Sequence, residues 1–429
     1  MWKERLAALP SALMRQIPVW LPLVAVIITA LIFAFPPPQN PAQPIKLFPD
    51  SATYLSWGYG RPPTPFLFFW LIGAGRPAVM IQTVLSIVCW ATLGWVLVGV
   101  PGAIYAVALA GSLWVSMWNF TVLSEGPTLS FGAALLVATL ALGRRWSWPH
   151  FALWAVTALI FTGVRVENVF LPIVLLGALL VWHRRRWLPL GAVGIVIGAL
   201  FAVFGLVIDK QNHNWSIRMT NLVLTRILPD PGLSEYFHAR GLPYEPNLLA
   251  WKNQMLAAYQ PSFIEQTPEF QAWLENGSRA AYMEWMMGLD PHRRLLQQLD
   301  WVTTREQEGH GYYAGGINLP GVAMDLNRVY DAVRIPFRDW RWLALVPIAC
   351  ALLSWRIRFI DVFTIAYMIG VYVVAFIVYH GDSGELSRHM SFVNMLYRIT
   401  PAVALACIWE RVGTLAQRGW VFRWRRAQP

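Results

Sequence analysis

The acids and bases that could do chemistry in this chain stand at the ends of apolar segments and form no catalytic signature. Asp50 lies in Phe48-Pro49-Asp50-Ser51-Ala52-Thr53-Tyr54-Leu55. If a helix starts there, Asp50 and Tyr54 fall one turn apart on one face. A carboxylate so placed suits a general base, which must come within reach of an acceptor hydroxyl. It also suits a helix N-cap after a proline, where Asp is favoured, and the two roles are compatible. Glu125 opens an apolar segment in Leu123-Ser124-Glu125-Gly126-Pro127. The helix dipole favours an acid there; the alternative is a second acid facing a site. Arg165-Val166-Glu167-Asn168 fills a very short turn between two apolar segments. Arg165 is there either as a helix-terminal charge paired with Glu167 or as a planar fork for two phosphate oxygens.

The stretch His380-Gly381-Asp382-Ser383-Gly384-Glu385-Leu386-Ser387-Arg388-His389 is the most polar short passage. His380, Asp382, Glu385 and His389 form either a solvated loop or one that contacts an anion or a sugar. Their spacing matches no metal-ligand motif. Arg398 lies about two turns into the next apolar segment, where a charge costs about 2.5–3.5 kcal/mol on insertion scales. It needs an acid or a lipid phosphate as partner. The chain has no Walker A loop, dinucleotide fingerprint, nucleophile elbow or HExxH helix, and no cofactor is expected.

These residues must be positioned by apolar helices. Of 429 residues, 56% are hydrophobic and 13% charged, about half the charged fraction of a soluble domain. Apolar runs long enough to cross a hydrocarbon core of about 30 Å recur along the chain. The net charge of +11 is not a nucleic-acid footprint. Arg144-Arg145, Arg184-Arg185-Arg186, Arg356 with Arg358, and the run from Arg423 to Arg426 sit between apolar segments, as the positive-inside rule demands. Cys89, Cys350 and Cys407 lie within apolar segments, so no disulfide is expected.

From a cytoplasmic N-terminus, spans near 17–36, 79–98, 101–118, 128–143, 150–165, 168–182, 188–208, 340–355, 359–379 and 391–410 put every basic cluster inside. The first run ends in Pro36-Pro37-Pro38 without a small-residue cleavage site and reads as a retained span. The expected fold is an all-α polytopic membrane protein of about ten transmembrane helices with an inserted, mainly helical extracytoplasmic domain. It divides into an N-terminal membrane module (1–208), the inserted domain (209–339) and a C-terminal membrane module with a basic tail (340–429). The outer loop at 37–78 holds Asp50 and an aromatic stretch, Phe66 to Trp70, suited to lie along the interface or re-enter it. Trp215, Trp251, Trp273, Trp285 and Trp301 of the inserted domain are core residues or a stacking platform for a glycan. Asp50, Glu125, Arg165, Glu167, His380, Asp382, Glu385, Arg388 and His389 all fall on the outer face.

The first outer loop, with Pro49-Asp50-Ser51, Tyr54 and Gly60-Arg61-Pro62-Pro63, resembles the corresponding loop of the GT-C glycosyltransferases. Leu123-Ser124-Glu125 and Ser387-Arg388-His389 are similar to passages of bacterial members. The resemblance covers the membrane part, mainly the first 180 residues. It implies transfer of a sugar, with inversion, from a polyprenyl-phosphate donor to a glycan, lipid or protein acceptor outside a bacterial-type cell membrane. Asp50 is then the base, and Arg165, Arg388 and Arg398 are ligands of the donor phosphate. Tyr54, Arg61, Glu125, Glu167, His380, Asp382, Glu385 and His389 are the further substrate contacts. Two features depart from the pattern: the soluble domain is inserted, not C-terminal, and the first loop offers a single acid. Metal independence is therefore expected.

The main rival is a transporter or flippase of a lipid-linked substrate, which would place charges along a mid-membrane path. A membrane acyltransferase or phosphotransferase would need a paired His-Asp or His-His centre within spans, which His380 and Asp382 only faintly suggest. A non-catalytic assembly factor would need none of these charges. Alkaline phosphatase fused after residues near 60, 250 and 385 should be active in all three fusions. One inactive fusion overturns the orientation.

Overall fold

The computed structural model describes residues 20–34, 46–48, 50–56, 62–208, 214–254, 257–302, 321–333, 340–381 and 386–426. Arg61, Asp382 and Glu385 lie outside them. Among the described residues the chain is helical, and strand pairing is limited to an isolated parallel bridge between Lys46 and Thr121.

The first half contains α1 (Leu21–Ala34), the short α2 (Ser51–Leu55), α3 (Pro63–Ile72), α4 (Arg76–Val98), α5 (Val100–Gly111) and α6 (Leu113–Ser116). It continues with α7 (Glu125–Arg144), α8 (Trp148–Thr162), α9 (Phe170–Trp182) and α10 (Trp187–Phe201). Then come α11 (Asn214–Leu222), α12 (Pro231–His238), α13 (Pro246–Ala250), α14 (Pro261–Gln266), α15 (Pro268–Asn276), α16 (Ser278–Met286), α17 (Leu289–Val302) and α18 (Gly321–Ala332). The chain ends in α19 (Trp340–Ser354), α20 (Phe359–Gly381) and α21 (Leu386–Arg426).

Five helical stretches are long and apolar enough to cross a membrane: Arg76–Val98, Glu125–Arg144, Arg184–Gly205, Phe359–Gly381 and Arg388–Val412. The pair Val100–Gly111 and Leu113–Phe120, bent by 65°, makes a sixth if taken together. The remaining expected spans appear as shorter apolar helices, Leu21–Phe33, Trp148–Thr162, Val166–Trp182 and Trp342–Ser354. α3 is a further short apolar helix, with Trp70 and Leu71 exposed. These helices make the chain a multi-pass membrane protein by length and composition.

Helices in lipid gain little from hiding apolar surface against each other, so close packing of small residues carries association. α4 and α5 meet this way around Gly99, whose φ of +72° makes the turn. A Cβ on Gly94 would lie 2.0 Å from the Gly102 carbonyl oxygen, and one on Gly102 would lie 2.1 Å from that of Gly94. The two backbones touch.

α7 lies at the centre, packed against α4, α8, α20 and α21. Its 20 residues span about 30 Å at 1.5 Å per residue, with Glu125 at one end and Arg144 at the other. α9 sets the same polarity: Asn168 bonds the Phe161 carbonyl near the Glu125 end, and His183 reaches the Leu142 carbonyl near the Arg144 end. The basic residues of the Arg144, Arg184 and Arg356 clusters therefore share one end of the bundle. Arg165 and Arg388 stand at the other.

Between the two membrane modules, residues from Met219 to Trp285 form a separate hydrophobic cluster. Trp273 and Trp285 are buried in it, and Trp215 and Trp251 pack against it. They are core. The segment read as one inserted domain divides: Leu295 and Leu299 of α17 and Tyr330 of α18 join the core of the membrane helices instead.

Gly94→Leu should therefore collapse the α4–α5 contact, because neither backbone can give way. Overpacking typically costs about 1–3 kcal/mol, and a backbone clash should exceed that. The expected readout is loss of the monodisperse peak in detergent; a variant that elutes and melts like wild type refutes the crossing.

Candidate functional site

The segment that carries Lys46 and Asp50 is fastened to the segment before α7. Lys46 N–H donates to the Phe120 carbonyl (2.7 Å) and Val122 N–H to the Lys46 carbonyl (3.3 Å). Ser51 Oγ accepts from Phe48 N–H (2.8 Å) and donates to the Val122 carbonyl (2.9 Å). Gln82 of α4 braces the other strand of this junction by donating to the carbonyls of Asn119 and Thr121. Tyr54 is buried, and its hydroxyl meets Ser124 Oγ at 3.3 Å.

This anchoring sets where the Asp50 side chain turns. Its side chain makes no capping hydrogen bond to α2. The carboxylate turns instead to Arg388, with Oδ2 3.1 Å from Nη1. Arg388 Nε lies 2.6 Å from Glu125 Oε1, and Arg165 Nη1 reaches the same oxygen at 3.1 Å. Arg165 also pairs through Nε with Glu167 Oε1 at 2.9 Å, and its Nη2 lies 2.6 Å from His389 Nδ1. An arginine can only donate, so His389 Nδ1 accepts and the ring carries its proton on Nε2. The Nδ1–Glu167 approach of 3.6 Å is then not a hydrogen bond.

Asp50, Arg388, Glu125, Arg165, Glu167 and His389 thus form one chain of contacts. Among these six residues three carboxylates face two guanidiniums, with Arg218 a further cation acting on Glu167. Accessibility is uneven: the side chains of Arg388 and Glu125 are 3% and 1% exposed, that of Asp50 33%. Asp50 is the most exposed of the six. Glu125 Oε2 is buried and has no hydrogen-bond partner among the described residues.

Two expected site residues lie elsewhere. Arg398 sits ten residues along α21 from Arg388, about 15 Å by helix rise. Its Nε donates to the Tyr330 carbonyl at 2.9 Å, and its guanidinium lies 3.6 Å from the Tyr330 ring centre. Among the described residues a carbonyl and an aromatic face from α18 receive it. His380 is buried at the seam with the Met219–Trp285 cluster. Its Nε2 lies 3.1 Å from the Pro291 carbonyl, its ring is 5.0 Å from that of Trp285, and its own carbonyl accepts from Tyr282. It joins two parts of the fold. Among the described residues no three His, Cys, Asp or Glu side chains gather as metal ligands.

Sequence reasoning missed Lys46, four residues before Asp50. Partial burial lowers its ammonium pKa, and its Nζ lies 4.9 Å from the Phe48 ring centre. Its position one turn's length before Asp50 was the available signal. Phe120, which accepts from Lys46 N–H, lines with Asn119 an apolar cavity of about 510 Å³ whose other walls come from α1, α4, α5 and α18. Thr83 and Ser116 bring buried hydroxyls to its wall, both without partners among the described residues.

Removing one partner of a buried ion pair typically costs about 3–5 kcal/mol, because the other charge stays buried alone. Arg388→Gln should therefore lower the melting temperature sharply. Adding Glu125→Gln to that variant should restore part of the loss, with a coupling of about 0.5–3 kcal/mol in the double-mutant cycle. Strict additivity of the two substitutions rules out the pairing. Comparison of the chain with protein-family models, curated proteins and solved structures finds no match in any of the three.

Proposed function

We propose that the chain is a ten-span membrane glycosyltransferase that transfers a sugar from a polyprenyl-phosphate donor to a glycan, lipid or protein acceptor on the extracytoplasmic face. One observation carries the reading: an accessible carboxylate, Asp50, is fixed by a buried cation, and the same segment pairs through Lys46 with Phe120, which lines an apolar cavity. A lipid-linked donor needs this combination. Its tail stays in hydrocarbon while its phosphate and sugar stand at the interface.

In this reading the cavity near Phe120 takes the first part of the tail, and the phosphate emerges beside Lys46. Arg388 and Arg165 already share three carboxylates, so Lys46 supplies the charge the network lacks. Asp50 accepts the proton of the acceptor hydroxyl as that oxygen attacks the anomeric carbon. The bond from that carbon to the phosphate oxygen breaks, and its electron pair leaves with the phosphate. Lys46 stabilises the charge growing there. Attack opposite the phosphate inverts the anomeric centre. Arg388 holds Asp50 Oδ2 and so fixes the carboxylate in the attacking direction.

A second reading rests on a separate observation. Asn394, wholly buried one turn before Arg398 on α21, satisfies neither Oδ1 nor Nδ2 among the described residues. Polar groups at that depth suit a translocator of a lipid headgroup.

The deciding experiment reconstitutes the protein in vesicles with polyprenyl-phosphate sugars and follows release of free lipid phosphate. General-base help contributes about 10²–10⁴ in rate, so Asp50→Asn should lose that much while melting like wild type. Lys46→Gln should raise KM for the donor more than it lowers kcat. A fully active Asp50→Asn ends the base assignment, and movement of donor between leaflets without sugar release favours the translocator.

A further inference from the structure

The end of the bundle opposite Asp50 holds a second cavity, of about 400 Å³, between the C-terminus of α7, the end of α9, the α19–α20 loop and α21. Arg144, Arg356 and Arg358 line it with Trp182, Phe359 and Glu410. Glu410 Oε1 accepts from Arg144 Nε and Nη2, and the Glu410 carbonyl accepts from Arg358 Nη1 at 2.8 Å. Three cations against one carboxylate leave two net positive charges on the wall. The Arg356 guanidinium has no hydrogen-bond or ion-pair partner among the described residues, although its backbone is held.

That loop is built rigidly. Arg411 grips Asp361 through both Nη atoms (2.9 and 2.8 Å), and its Nη2 also donates to the Arg356 carbonyl (3.2 Å). Asp361 Oδ2 accepts from Arg358 N–H at 2.8 Å. Trp355 takes a φ of +49°, a left-handed conformation uncommon outside glycine, and is 95% exposed. Leu353 and Ile357 beside it are exposed too. Cations turned into a cavity with apolar side chains turned outward beside them match an interfacial site: charge for a headgroup, hydrocarbon for its chains. The site lies one span, about 30 Å, from the Asp50 network, at the end where the basic clusters gather.

We propose that this cavity binds the phosphate of an anionic phospholipid in the leaflet opposite the Asp50 site. The occupant is a resident lipid, and the acyl chains lie along the exposed faces of α19 and the Trp355 loop. Binding ties the end of α7 to the α19–α20 loop through a shared phosphate.

The test uses delipidated full-length protein in detergent, titrated with phosphatidylglycerol and, separately, phosphatidylcholine of the same chains, with bound lipid counted by native mass spectrometry. Wild type should prefer phosphatidylglycerol. A basic residue near a membrane surface is worth about 1 kcal/mol, roughly fivefold. Arg356→Gln should therefore weaken phosphatidylglycerol binding about fivefold, and Arg356→Glu by about 25-fold, without changing phosphatidylcholine binding. Arg356 has no side-chain partner to lose, so both variants should fold. Arg145→Gln, a basic change at the same end but outside the cavity, should leave binding unchanged. Equal binding of the two lipids, or an equal loss in Arg145→Gln, overturns the proposal. Displacement of the lipid by millimolar inorganic phosphate would make the site one for free anions and overturn the lipid assignment.

Discussion

Arg388 is surrounded by protein and bonded to two carboxylates, Glu125 and Asp50, that lie 263 and 338 positions away. A guanidinium at 3% exposure cannot be left unpaired, because desolvating an ion costs several kcal/mol unless opposite charge and hydrogen bonds replace water. The pairing is therefore a constraint on the whole chain. The segment around Asp50 must return to the start of α21, and α7 must begin beside both. The smaller contacts serve that requirement. Lys46 and Thr121 pair to hold that segment against the start of α7, and Ser51 and Tyr54 pin α2 so that Asp50 faces Arg388 and not its own helix.

The opposite end of the bundle meets the same demand. Arg144 pairs with Glu410, joining α7 to α21 there as Glu125 and Arg388 join them at the site end. Between the two, Gly132 leaves room for Phe392: a Cβ would fall 2.3 Å from the ring. The two helices run parallel, clasped at both ends and in van der Waals contact between. Asp361 and Arg411 add a tie from α20. Apolar packing between helices in lipid is weakly selective, and ion pairs at fixed depths supply the register that it lacks.

What the sequence made legible follows from what lipid requires. Long apolar segments and terminal basic clusters are local, one-dimensional signals, and helices occur at each place where they were expected. The grouping of Asp50, Glu125, Arg165, Glu167, Arg388 and His389 at one end followed from alternating sides along the chain. Which acid meets which cation was not legible, because those contacts depend on a backbone pairing between Lys46 and Thr121 that has no local signature. Arg398 and His380 were grouped with the site by position along their helices. Depth and a neighbour remove them: Arg398 lies some three turns further along and meets Tyr330, while Trp285 covers His380. α18 reads as an amphipathic helix of a soluble domain, yet it packs on α5 and lines the apolar cavity. No single segment contains that cavity, since its walls come from α1, the α4–α5 pair and α18, which are far apart in the chain.

The unsatisfied oxygen of Glu125 bears on what the site accepts. Oε1 takes bonds from both Arg388 and Arg165, while Oε2 is buried without a partner among the described residues. Burying a carboxylate oxygen unbonded is costly, and two guanidiniums on the other oxygen offset that cost without filling the place. A hydroxyl group arriving there would donate a charge-assisted hydrogen bond, about twice as strong as a neutral one. A phosphate would be repelled. In the proposed reaction the network therefore separates its two substrates by charge: hydroxyl groups of sugar or acceptor belong beside Glu125 and Asp50, and the anionic leaving group belongs toward Lys46. The geometry that keeps a base and a departing phosphate on opposite sides of one carbon is then set by where the protein has left a carboxylate oxygen unbonded.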